Sequence, residues 1–143
     1  MNLGESSVSA STPLFQSGSG GSTPTLSHQL IEKIKRCLSP DLLKKQYRAK
    51  NADNPTYGHC YIATEALFYS LNDSRYAPAR GRDDSGVVHW WIVDRATGEI
   101  LDPTAEQYTS QGLTPPYAQG RCGGFLTKTP SQRCKTLLAR MRE

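Results

Sequence analysis

Apolar positions along this chain fall into blocks with distinct spacing. Leu30, Ile31, Ile34 and Leu38 recur on one helical face while Glu32, Lys33, Lys35 and Arg36 fall elsewhere, which predicts an amphipathic helix with Ser27 as its N-cap. Ser39-Pro40 restarts the pattern with a cap and a proline at the first helical position, giving a short turn through Leu42, Leu43 and Tyr47. Residues 51–58 read as a polar loop. Ile62, Ala63, Ala66, Leu67, Ser70 and Leu71 then return at helical spacing, so a second helix opens near Cys60, after Gly58, and breaks at Asn72-Asp73-Ser74. Residues 75–80 are expected to be extended around Pro78, and 81–86 form a polar turn. Residues 87–93 alternate as a strand, with Val88, Trp90 and Ile92 on one face and Val87, His89, Trp91 and Val93 on the other. Residues 94–99 make a hairpin connection, and Ile100-Leu101 begins a return strand that Pro103 stops. Residues 102–124 are rich in Pro, Gly, Gln and Thr and read as a loop long enough to wrap something. Thr129-Pro130 is expected to cap a final helix with Leu137, Leu138 and Met141 apolar. The fold class is therefore α+β, with helices packed on a small antiparallel sheet.

Composition divides the chain further. Residues 1–27 consist mostly of Ser, Gly, Thr and Pro with Glu5 as the one charged side chain, so they are expected to form a disordered or extended N-terminal arm. Residues 28–143 then make a single domain. Leu14 and Phe15 are apolar islands in the arm and are the candidate anchors for a protein partner. Of the 17 Lys and Arg, every one lies after residue 27, against 12 acidic residues there, leaving the domain at about +5. A basic run at Lys44, Lys45, Arg48 and Lys50 has sparse aromatic interleaving, so a nucleic-acid partner is disfavoured. No apolar run reaches membrane-spanning length and the N-terminus lacks the plan of a signal peptide, which argues for a cytoplasmic setting without a membrane partner. Cysteines at 37, 60, 122 and 134 form no CxxC pair, and free thiols are expected; Cys122 and Cys134 fit no common zinc spacing.

The candidate chemistry starts at Cys60. A cysteine in the first turn of a helix meets unpaired backbone N–H groups and the positive end of the helix dipole, which favour thiolate over thiol. A nucleophilic thiolate needs a base and an acceptor that fixes the base's tautomer. His89 on one strand and Asp102 beside the paired strand supply both residue types, thirteen positions apart yet close in a hairpin. Asp94 is an alternative third member. Tyr57, His59 and Trp91 are the candidate substrate contacts, His59 at the surface beside the nucleophile and Trp91 on the face of His89. Trp90 is expected to pack under the sheet.

Gly58-x-Cys60, Pro78-Ala79-Arg80, His89-x-Trp91 and Leu101-Asp102-Pro103-Thr104 together resemble the core of transglutaminase-like proteins, a branch of the papain-like cysteine fold, over about residues 57–108. The resemblance implies Cys60 as nucleophile, His89 as general base and acid, Asp102 as the orienting group, and the Cys60 backbone N–H as an oxyanion donor. It implies attack on an amide, isopeptide or ester carbonyl of a protein or peptide substrate, through a thioester, with transfer to water or an amine and no cofactor. The predicted strands are too few for the full barrel of larger members. The chain, including residues 124–131, also resembles small bacteriophage-encoded proteins, which suggests a host-cytoplasm or virion setting. The alternative expectation is a non-catalytic structural or binding module docking through its N-terminal arm.

Overall fold

The computed structural model describes residues 25–43, 45–54 and 58–143. The expected arm anchors Leu14 and Phe15, the expected substrate contact Tyr57, and Lys44 of the basic run lie outside the described residues.

Helix α1 (Leu26–Cys37) begins two residues earlier than the periodicity suggests, because Thr25 rather than Ser27 is its cap: the Thr25 hydroxyl accepts from the His28 N–H at 3.2 Å. The expected apolar face is the buried one, with Ile34 fully enclosed and Leu30, Ile31 and Leu38 packed at the margin of the core. A 3-10 turn (Pro40–Leu42) follows, with proline in its first turn. Next comes a helix the hydrophobic pattern does not announce, α2 (Lys45–Asp53). The Arg48 guanidinium holds it against the preceding turn by donating to the carbonyls of Pro40 and Leu43 at 3.1 and 3.3 Å.

Helix α3 (Cys60–Leu71) is the centre of the packing and lies against α1, against the C-terminal helix α5 (Gln132–Met141) and against two strands. It ends at Asn72, whose positive φ of 47° and N–H to the Phe68 carbonyl close the last turn. Ile62, Ala63, Ala66 and Leu67 meet Ile34, Leu42, Ile92, Leu101, Leu137 and Met141 in one core. Truncating a fully enclosed core side chain such as Leu67 to alanine costs about 2–5 kcal/mol.

Among the described residues the sheet has four antiparallel strands, β1 (Tyr76–Arg82), β2 (Val88–Asp94), β3 (Ile100–Leu101) and β4 (Arg121–Cys122), in the order β3-β2-β1-β4. The extended stretch around Pro78 is thus an inner strand. Pro78 is tolerated there because its side of the ladder faces the two-residue β4, where its carbonyl accepts from the Gly123 N–H at 3.0 Å and no donor is needed. Register pairs Gly81 with His89, Ala79 with Trp91 and Ile92 with Leu101. Alternation sends Trp90 and Ile92 toward the helices. Trp90 packs edge-on against Tyr61 of α3, and His89 and Trp91 stand together, their rings 5.8 Å apart.

The long stretch after β3 contains one helical turn, α4 (Glu106–Thr109), a 3-10 turn (Tyr117–Gln119) and β4. It covers the His89–Trp91 side of β2. Helix α5 starts two residues later than expected: Ser131, not Thr129, is the N-cap, accepting from the Cys134 N–H. No helix among the described residues is long and apolar enough to cross a membrane.

Candidate active site

The chain enters α3 through Gly58, at φ +82°, where a Cβ would stand 2.9 Å from the Leu43 side chain and 3.2 Å from Tyr47. Only glycine serves there, on both conformational and steric grounds. His59 then occupies the N-cap position without making a side-chain cap, so Cys60 is the first helical residue. The expected surface position of His59 is corrected by the structure. The ring is fully buried, with Nε2 3.0 Å from the Ser39 carbonyl and Nδ1 3.5 Å from the Asn51 amide, so it anchors the loop to the helix start and is not placed to touch a substrate. Burying an imidazole is tolerable when both nitrogens have polar neighbours.

Cys60 is partly exposed, and its thiol donates to the Val88 carbonyl at 3.8 Å. That carbonyl belongs to the residue before His89, so α3 begins where β2 begins. His89 is fully buried. Its Nε2 stands 2.6 Å from Asp102 Oδ2, and its Nδ1 is buried without a hydrogen-bond partner. Burial alone would lower the imidazole pKa. The hydrogen bond and charge of Asp102, together with the neighbouring Cys60 sulfur, outweigh it and raise His89 to about 9. The structure therefore brings Cys60, His89 and Asp102 together, with one imidazole nitrogen committed to the carboxylate and the other left for the sulfur.

Asp102 is fixed from several directions. Its Oδ1 accepts from the Thr104 N–H at 3.0 Å and lies 3.4 Å from the Thr104 hydroxyl, an Asx turn that the Asp102-Pro103-Thr104 run builds locally. Its Oδ2 accepts from the Tyr117 hydroxyl at 2.8 Å as well as from His89. Behind the imidazole, Tyr108 stands edge-on at 4.9 Å between ring centres and donates its hydroxyl to Asp83 at 2.7 Å. Asp83 also accepts from the N–H groups of Ser85 and Val87, and these bonds outweigh burial to hold its pKa low.

Asp94, the alternative third member, is elsewhere employed: it is buried, paired with the Arg75 guanidinium, and accepts from the Ala96 N–H at 2.9 Å. Trp91 is also buried, stacked on His89 and met edge-on by Tyr117, so it backs the site rather than lining an open groove. Tyr108 and Tyr117 join the site without having been singled out in the sequence, and Thr104, quoted there only as the end of the Leu101-Asp102-Pro103-Thr104 run, joins it as a donor to Asp102. Pro115-Pro116 ahead of Tyr117 was the available signal, since two prolines restrict the chain and can hold the next side chain in place. Comparison with protein-family models, with curated proteins and with solved structures finds no match to this chain.

Proposed function

We propose that the protein is a cysteine-dependent acyl transferase or hydrolase that cleaves an amide, isopeptide or ester bond of a protein or peptide through Cys60, His89 and Asp102, on a papain-like, transglutaminase-like version of the α+β fold. The observation that carries this reading is the state of His89: Nε2 held by Asp102 and Nδ1 buried without a partner, beside a cysteine that opens a helix. A histidine kept only for packing would have no reason to leave a buried ring nitrogen bare. Support for the fold assignment is the chain order, with the cysteine at a helix start, then the histidine in a strand, then the aspartate just after the paired strand.

The chemistry follows from those positions. His89 Nδ1 takes the Cys60 proton, and Sγ attacks the carbonyl carbon, forming the C–S bond as the carbonyl π pair moves to oxygen. Cys60 is the first residue of α3, so its N–H has no intrahelical carbonyl to donate to and can donate to the oxyanion. Collapse breaks the bond to the leaving amine or alcohol, which takes the proton from Nδ1 and leaves a thioester. Water or an amine then attacks, giving its proton to Nδ1, and release of the product returns the proton to Cys60. Asp102 remains a carboxylate and steadies the imidazolium in each half-reaction.

The test is acylation by p-nitrophenyl acetate. The proposal expects a burst of nitrophenol and an acetyl group on the Cys60 peptide, both absent in Cys60→Ala and strongly slowed in His89→Ala. A burst that survives Cys60→Ala would overturn it.

A further inference from the structure

Asp102 is a better-furnished acceptor than a three-residue relay needs. Oδ2 receives two donors, His89 Nε2 at 2.6 Å and the Tyr117 hydroxyl at 2.8 Å, while Oδ1 receives the Thr104 N–H. Tyr117 is also placed with care. Its ring meets Trp91 edge-on at 5.1 Å, and Trp91 in turn stacks on His89. The chain can lie this close to Trp91 because residue 120 is glycine, where a Cβ would collide with the indole. One short segment therefore touches both members of the His89–Asp102 pair, one by a hydrogen bond and the other through an intervening ring.

We propose that Tyr117 is a positioning residue, which fixes the Asp102 carboxylate in the plane that receives His89 Nε2 and draws off part of its negative charge. The inference takes its catalytic meaning from the acyl-transfer reading above, but the contact it names stands without turnover. A neutral hydroxyl donating to Oδ2 competes with the imidazolium for the same lone pairs, so Tyr117 keeps the His89–Asp102 attraction below what the bare pair would have. The imidazole thereby stays able to release its proton to a leaving group. Burial and the Asp102 bond hold the phenol itself protonated, with its pKa raised well above that of free tyrosine. The other groups facing His89 are Asp102, the Cys60 sulfur, the Tyr108 ring edge and, behind Tyr108, the Asp83 carboxylate. Removing the Tyr117 hydroxyl leaves all of these in place.

The test is the titration of the His89 ring by NMR in Cys60→Ala and in Cys60→Ala with Tyr117→Phe, the signal being assigned by its loss in His89→Ala. Phenylalanine keeps the ring on Trp91 and removes only the donor, and the Cys60→Ala background silences the thiol. The expected result is a His89 midpoint raised by about half a pH unit or more in a double variant that stays folded, with a modest fall in melting temperature from the lost hydroxyl hydrogen bond. An unmoved midpoint in a folded double variant overturns the proposal. A raised midpoint in a protein that never forms an acyl-Cys60 adduct supports the positioning role while rejecting the acyl-transfer reading.

Discussion

Two helix starts in this protein each carry a cysteine, and their surroundings are opposite. At the start of α5, the buried Glu65 carboxylate accepts from the Ser131 N–H at 3.0 Å and the Ser131 hydroxyl at 2.6 Å, and Ser131 in turn caps Cys134. The positive end of that helix is already matched by an anion, and Cys134 is sealed in the core. Burial and the nearby Glu65 charge push its thiol up to about 12. At the start of α3 no acid stands in the first turn, His59 makes no cap, Cys60 is partly exposed, and a histidine raised to about 9 lies beside it. A helix N-terminus thus does not by itself activate a thiol. What matters is whether its field is already spent and whether a base with a free nitrogen is in reach.

The contrast can be broken from either side. Cys60→Ala removes the nucleophile and should abolish acyl-enzyme formation completely, while Cys134→Ala should leave that reaction intact and cost about 1 kcal/mol of stability through a small cavity, read by urea unfolding. His89→Ala should slow acylation of Cys60 by about 10²–10⁴-fold, the usual contribution of a positioned base, with Cys134 equally unreactive in both proteins.

The pH dependence of stability sharpens the same point. His89 has a folded pKa raised from 6.5 to about 9, so its contribution is full below 6.5 and is lost as pH rises through 9. That loss amounts to about 3 kcal/mol at most across the window, and Asp102→Asn should flatten it in urea titrations at successive pH values. Cys134, a thiol raised on folding, weakens stability only at higher pH, above the free-thiol range and up to about 12. Glu65→Ala should cost about 2 kcal/mol, because it strips a buried charged acceptor from two donors, and leave acylation of Cys60 unchanged.

Much of this arrangement was legible in the residue pattern. The α1, α3 and β2 periodicities gave the elements and their buried faces, and the run Leu101-Asp102-Pro103-Thr104 marked both the end of a strand and a local turn that fixes the aspartate. The juxtaposition of His89 and Asp102 could be read because a hairpin brings together residues at close sequence separation, whereas Cys60 joins them because α3 begins beside the start of β2. Helix α2 could not, since residues 45–53 carry no apolar stripe and the helix is secured by Arg48 donating to carbonyls of the turn before it. His59 misled for a related reason. A polar residue beside a nucleophile reads as exposed, but Ser39, twenty residues earlier, holds the carbonyl that makes its burial tolerable. Tyr117 belongs with these, for its partner Asp102 is reached only after the chain doubles back through two prolines and a one-turn helix.

The most direct test of the central claim is the alkylation of the native protein by iodoacetamide at neutral pH, with rates at Cys60, Cys122 and Cys134 read separately by peptide mass spectrometry, in wild type and in His89→Ala. Cys122 is exposed and serves as the ordinary thiol in the same molecule. The account predicts that Cys60 reacts at least about tenfold faster than Cys122, that Cys134 stays unlabelled, and that His89→Ala brings Cys60 down to the Cys122 rate or below. A Cys60 no more reactive than Cys122 in wild type, and indifferent to the loss of His89, would contradict it.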